Sequence, residues 1–264
     1  MSDTNQTILT RVEGGVHWLI LNQPEKRNAI SLDMSMRGLE FVEAFAADET
    51  ARVLIIRGAG EAAFNAGADI SEFAERRNNA EAAAEYAAIS TRFYDAIATV
   101  EKATIAMIHG YCMGGGVALA ASCDLRFCSD DAVFAIPAAR LGIGYRVDFT
   151  RRITDLIGPA FMKEMLYSAR RYNAGEAAGL RLVNRVIAKA GLEDYVRNFA
   201  ATIADNAPLT VRATKVVVNE LMKDSGARDL DHCQTVISAC ADSDDFKNAR
   251  QAFMEKRKPV FTGK

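Results

Sequence analysis

The sequence has no CxxC pair, and its five cysteines, Cys112, Cys123, Cys128, Cys233 and Cys240, are odd in number. That usage argues against a disulfide framework and points to a reduced, cytoplasmic compartment with the thiols as core filler. No apolar run approaches the roughly 18–20 residues that a membrane span needs. The N-terminal stretch MSDTNQTILTRVEGG lacks the charged-then-apolar layout of a signal peptide. Net charge is only −2 over 264 residues, with no basic excess and no acidic tail, so neither nucleic acid nor a membrane surface is an expected partner. Internal repeats and low-complexity linkers are also missing. What remains is the composition of an ordinary globular protein, half hydrophobic and a quarter charged, long enough for one large domain or one domain with an appendage.

Patterning along the chain predicts an α/β core. TILTRV, a Gly14-Gly15 turn and VHWLILNQ read as a hairpin. A polar loop, NQPEKRNAIS, follows, and Ser31 opens a helix to about Ala47 with Leu32, Met36, Leu39 and Phe45 on one face. VLIIRGAG (53–60) and TIAMIHGY (104–111) are continuous apolar runs, the mark of strands buried on both sides. Between them lie a loop, FNAGADISEF (64–73), and an Ala- and Glu-rich helix over about 78–101. A further helix starts near Gly114. LRFCSD and AVFAIP (125–137) read as two short strands, and LVNRVI (182–187) as another. From about Thr150 the chain is otherwise helical, with helix-start signals at Asn206-Ala207-Pro208 and Asp242-Ser243-Asp244-Asp245. The expected organisation is layered α/β over residues 1–195, followed by a helical region, 196–264. Val216, Val217, Val218, Leu221, Val236 and Ile237 make that tail apolar enough to require a packing surface, either its own core or a partner subunit.

Two glycine-bearing junctions follow the apolar strands, FNAGADI and CMGGGVAL. α/β proteins keep their sites beyond the C-terminal ends of strands, and glycine lets a backbone approach closely. Gly114–Gly116 also stand at a helix N-terminus, where free N–H groups and about half a positive charge collect. Two such N–H groups suit one developing oxyanion. The run is not a Walker loop, because the Lys-Ser/Thr pair is missing, and it lacks the G-x-G-x-x-G spacing of a dinucleotide site.

In order and spacing, NQPEKRNAIS, FNAGADI, KATIAMIHGYCMGGGVALAASCDLRF and AFMEKRKPVF resemble the crotonase (enoyl-CoA hydratase/isomerase) superfamily over nearly the whole chain. The resemblance implies a spiral of strand–strand–helix turns and a C-terminal helical region used for trimer formation, often as a dimer of trimers. It implies an acyl-CoA thioester as ligand and no separate cofactor, CoA being part of the substrate, and no metal. By the same carry-over the oxyanion donors are the backbone N–H groups of Ala68 and Gly115. CoA contacts come from Lys26, Arg27 and Ala29, from Ala66, Asp69 and Ile70, and from Phe253 and Lys256, the last two reaching in from a neighbour. The chemistry agrees with this assignment. Enolate charge lands on the thioester oxygen, so fixed N–H dipoles stabilise the intermediate more than the substrate, and Lys26, Arg27 and Lys256 suit phosphates.

The sequence departs from the family where hydratases keep two acid/base glutamates. Ala118 stands in the GGGxE position, and Ala138 stands in FAIPAARLGIGY. Hydration requires water to be deprotonated and the α-carbon protonated, each worth about 10²–10⁴ in rate, so both alanines argue against plain hydration. Candidates to replace the glutamates lie in LGIGYRVDF: the Tyr145 phenol and the Asp148 carboxylate, with Arg146 as a fixed cation. The competing reading makes Tyr145 a half-buried aromatic and Asp148 the cap of a helix beginning near 149. Asp69 is expected to be held by its own loop, Glu72 to face the next helix, Asp124 to end a helix, His109 to be a hydrogen-bonded core residue and Cys112 to lack an activating base.

Three functions follow. The first is an acyl-CoA enzyme of hydratase/isomerase type working through an enolate. The second is a malonyl-type decarboxylase or other CoA lyase. It would need no base, and part of the C-terminal half is similar to that branch; against it, decarboxylases have a histidine where Ala68 stands and an acid after the glycines. The third is a non-catalytic acyl-CoA binder.

Overall fold

In a computed structural model, which describes residues 6–72 and 80–264, strands and helices alternate through the first two thirds of the chain and helices alone follow. Residues 1–5 of the stretch read for a leader, and the expected element ends at 73 and 78, lie outside the described residues. β1 (Ile8–Glu13) and β2 (Val16–Leu21) form the expected hairpin, in register from Ile8↔Leu21 to Glu13↔Val16. Ser31 caps the helix Leu32–Ala47, its hydroxyl accepting from the Met34 N–H. The buried face of that helix is Met34, Leu39, Val42 and Phe45, not the expected Leu32, Met36, Leu39 and Phe45, and Met36 points to solvent. Gly38 sets the rotation. It lies against Phe93, and a Cβ there would be 2.5 Å from Phe93 Cε2.

Three similar turns of chain build the core. β3 (Val53–Gly58) leads to a three-residue strand, β4 (Ala63–Asn65), and then to the helix Ala80–Thr99. β5 (Ala103–Ile108) leads to β6 (Tyr111–Met113) and the helix Gly115–Ser122. β7 (Leu125–Ser129) leads to β8 (Val133–Ala135), a short helix Ala138–Leu141 and the long helix Val147–Ser168. The run read as one strand over 104–111 is therefore broken in two, at Gly110, whose φ is +55°. The first strand of each turn joins a six-stranded sheet, completed by β10 (Arg185–Ile187), in the order β1-β2-β3-β5-β7-β10. The second joins a four-stranded sheet, completed by β9 (Tyr172–Asn173), in the order β4-β6-β8-β9.

The larger sheet is covered on both faces, as its continuous apolar strands require. Leu54, Ile56, Ala106 and Ile108 face the helices Leu32–Ala47, Ala80–Thr99 and Gly115–Ser122. Val53, Ile55, Ile105 and Met107 face the other way, onto Leu192, Val196 and Ala200 of the helix Leu192–Ala204. The boundary expected at 195/196 falls inside this helix. Beyond it run the helices Pro208–Leu221, Leu230–Asp242 and Asp244–Met254. Ala207-Pro208 and Ser243 start two of them, and Ala213, Val216 and Val236 form a small core of their own. Val218, Leu221 and Ile237 remain exposed. Among the described residues, no helix is long and apolar enough to cross a membrane.

Candidate active site

The two junctions singled out in the sequence follow the short strands β4 and β6, not the long apolar strands before them. Parallel pairing of β4 with β6 makes the loops after them neighbours. Gly114 then turns at φ +52° and ψ −111°, a conformation in which an L side chain is strained, and Gly115 begins the helix. Gly116 lies so close to the first loop that a Cβ on it would be 2.5 Å from the Asn65 carbonyl oxygen. A Cβ on Gly115 would be 3.6 Å from the Ala68 nitrogen, and one on Gly67 would be 3.5 Å from the Gly115 nitrogen. Tertiary packing thus sets the Ala68 and Gly115 amides side by side. Among the described residues neither of these N–H groups donates a hydrogen bond.

Asparagines fix the first loop. Asn65 Oδ1 accepts from Gly67 N at 2.8 Å, an Asx turn, while its Nδ2 donates to Asn28 O. Asn28 is fully buried, and its own Nδ2 donates to Ala59 O and Ala63 O. Ile30 N donates to Gly67 O, Asp69 N to Ile30 O, and Ala66 N to Arg27 O, so the 26–30 loop is laced to the 66–69 loop. Sequence reading overlooked both asparagines. The N-x-G spacing of Asn65 and Gly67 was the available signal.

The residues expected to hold CoA divide between two places. Lys26, Arg27, Ala29, Ala66, Asp69 and the backbone of Ile70, which opens a 3₁₀ turn, all border this pair of loops. Lys26 Nζ meets Asp69 Oδ2 at 2.7 Å, and the Arg27 guanidinium lies 4.9 Å from the Tyr111 ring centre. Burial works against ionisation of Asp69, but hydrogen bonds from Lys26 and Ser71 outweigh it and hold its carboxyl below the usual range. Phe253 and Lys256 lie elsewhere, on and just after the helix Asp244–Met254, which packs on Leu230–Asp242; Phe253 is 85% exposed.

Among the other candidates, Ala118 and Ala138 are both buried in the main core, so no carboxylate occupies either place. Asp148 does not cap its helix. Arg146 is the N-cap residue, and Asp148 sits in the first turn. The Arg146 guanidinium grips it through Nε–Oδ1 at 3.1 Å and Nη2–Oδ2 at 2.9 Å. Although burial opposes it, that hydrogen-bonded pairing holds the Asp148 carboxyl below the ordinary range, so it is an anion already partnered. Tyr145 turns its hydroxyl inward and donates to Gly114 O at 3.0 Å. Burial pushes its phenol well above the ordinary range.

Glu72 accepts from Leu32 N at 2.9 Å, serving the start of the preceding helix rather than the following one. Asp124 follows its helix as expected and accepts from Thr104 and Lys215. His109 is buried, but no hydrogen bond to its Nε2 is made among the described residues. Burial pushes the Cys112 thiol well up, which suits filler and not a nucleophile. A residue the sequence reading passed over, Tyr94, reaches the same place: its hydroxyl donates to Gly115 O at 3.3 Å, and its ring lies 4.7 Å from that of Phe149. Among the described residues, no group of three or more His, Cys, Asp or Glu side chains could hold a metal ion.

A spiral of strand–strand–helix turns with paired loops at one end defines the crotonase class of fold. An enoyl-CoA hydratase/carnithine racemase from Magnetospirillum magneticum superposes with a TM-score of 0.93 at 35% identity, covering 98% of this chain and 96% of that one. The enoyl-CoA hydratase/isomerase family model matches residues 11–264, and the chain belongs to that family. It is similar to a crotonyl-CoA hydratase of Syntrophomonas wolfei, 34% identical over 98% of this chain and 99% of the relative. It is also similar to a peroxisomal Delta(3,5)-Delta(2,4)-dienoyl-CoA isomerase of Arabidopsis thaliana, 33% identical over 98% of this chain and 96% of the relative.

Proposed function

We propose that the protein binds an acyl-CoA thioester with its carbonyl oxygen between the amides of Ala68 and Gly115, and that it acts on the thioester as an enolate rather than by plain hydration. The observation that carries this reading is the side-by-side placement of two unpaired amides, with buried alanines where the acid/base glutamates would stand. Negative charge that develops on the thioester oxygen is stabilised there more than the neutral carbonyl is. Lys26 and Arg27 supply the positive rim for the CoA phosphates. Phe253 and Lys256, exposed and away from this site, serve the site of a neighbouring copy in a homotrimer or dimer of trimers, with the helical region after 195 as the assembly surface. The exposed apolar side chains of that region support this placement.

Among the described residues, the candidate carboxylates Asp69, Glu72 and Asp148 are each already hydrogen-bonded, so reactions that make the enolate by losing a group other than a proton fit better than hydration. Decarboxylation of a malonyl-type thioester is therefore the second reading, favoured by the engaged state of Asp148. A thioester panel separates the possibilities. Carbon dioxide release from a malonyl-type thioester supports the second reading, and isomerisation of an enoyl thioester supports the family's other chemistry. Rapid loss of the enoyl absorbance of crotonyl-CoA by hydration refutes the claim that plain hydration is lost. Tight binding with no turnover across the panel reduces the protein to a binder.

A further inference from the structure

Peptide bonds are rigid and planar, so the carbonyl of Gly114 and the N–H of Gly115 are two ends of one unit. That carbonyl accepts from Val117 N at 3.1 Å and Ala118 N at 3.3 Å, in the first turn of the helix. It also accepts from the Tyr145 hydroxyl at 3.0 Å, across 31 residues of chain. The Tyr94 hydroxyl repeats the arrangement one peptide later, at the carbonyl of Gly115. Both rings pack on Phe149, at 5.8 Å for Tyr145 and 4.7 Å for Tyr94. Arg146, gripping Asp148 and the hydroxyl of Thr91, fastens the segment that carries Tyr145 to the helix Ala80–Thr99.

We infer that Tyr145 is a positioning residue for the oxyanion site, its phenol O–H orienting and polarising the Gly114–Gly115 peptide whose N–H receives the thioester oxygen. A hydrogen bond at the carbonyl end of an amide draws electron density from the nitrogen end and makes the N–H a stronger donor, by about 10–30% per bond in a chain. The phenol proton is thereby committed to the main chain and not to the substrate. Because burial keeps the phenol protonated, it stays a donor across the working pH range. The inference rests on the oxyanion reading above and adds a residue that acts through it.

The test is isotope-edited infrared spectroscopy of crotonyl-CoA bound to the full-length protein. The wild type shifts the thioester carbonyl band to lower frequency, and Gly115→Pro removes most of that shift. Proline is tolerated at the first position of a helix; because its Cβ would lie 3.2 Å from the Tyr94 hydroxyl, the spectrum of this variant is read only alongside its unfolding midpoint and its affinity for crotonyl-CoA. Tyr145→Phe, which keeps the ring against Phe149, retains the shift less about 10–30%, with affinity for crotonyl-CoA little changed. A fluorotyrosine at 145, a stronger phenolic donor, enlarges the shift. A wild-type band unmoved from that of free crotonyl-CoA, or a band that Gly115→Pro leaves in place, overturns the oxyanion reading itself. A wild-type shift that Gly115→Pro abolishes while Tyr145→Phe and fluorotyrosine leave it unchanged overturns only the role of Tyr145. Should the phenylalanine variant fail to fold, the fluorotyrosine arm alone decides.

Discussion

A single methyl group at Gly67 strikes directly at the pairing of the two loops. Gly67 has φ +99°, where an L residue is strained by about 1–3 kcal/mol. A Cβ there would lie 3.2 Å from Met113 O and 3.5 Å from Gly115 N, between the strand that ends in Met113 and the amide proposed to hold the oxyanion. Relief of either contact moves the Ala68 amide away from its partner. Loss of one donor of this kind typically costs about 10²–10³ in rate. Gly14→Ala is the matched control: Gly14 has φ +57° in the β1–β2 turn, and a methyl added there would have nothing within 4 Å, so the strain comes without the contact. Both variants should lose about 1–3 kcal/mol of stability in denaturant unfolding. Only Gly67→Ala should also lose the carbonyl shift of bound crotonyl-CoA and turnover on whichever thioester the panel identifies. A Gly67→Ala protein that is destabilised like Gly14→Ala yet polarises the carbonyl as the wild type does would refute the reasoning.

Two further predictions concern buried polar groups. Asn65→Ala leaves Gly67 N and Asn28 O without their partners and should cost about 1–3 kcal/mol for each group left unsatisfied, read as a lower urea midpoint; an unchanged midpoint would show that the two loops hold together without it. Burial, with the Arg57 and Lys189 cations, pushes the pKa of His109 down from 6.5 to about 4. The unfolded chain binds this proton more readily than the native one does. Stability is therefore complete above pH 6.5 and erodes as pH falls toward about 4, by about 3 kcal/mol in all. His109→Phe should flatten unfolding free energy against pH over that window, and identical slopes in the two proteins would rule the histidine out as the cause.

Local chemistry carried much of the fold. Ser31 before an amphipathic stretch, two glycines between alternating segments and the apolar run 53–60 each depend on neighbours within a few residues, and each gives the element expected of it, the strand from the last ending at Gly58. The face of the Leu32–Ala47 helix was misplaced because Met36 and Met34 look alike in sequence, and contact between Gly38 and Phe93 selects one. β4, β6 and β8 have three residues each, too few to show a period, so the second sheet was not separated from the first.

At the site, the sequence by itself determined the chemical inventory: glycines that permit close approach, small residues at 66 and 68, basic residues at 26 and 27, and no glutamate at 118 or 138. Only the tertiary structure decided how that inventory is used. It paired β4 with β6 and so brought Ala68 beside Gly115, gave the Asp148 carboxylate to Arg146, and turned the Tyr145 hydroxyl to the Gly114 carbonyl. Residue identity fixes what a group can donate or accept, whereas its partner is fixed by which distant backbone the packed core carries to within hydrogen-bond reach, and that depends on the whole chain at once.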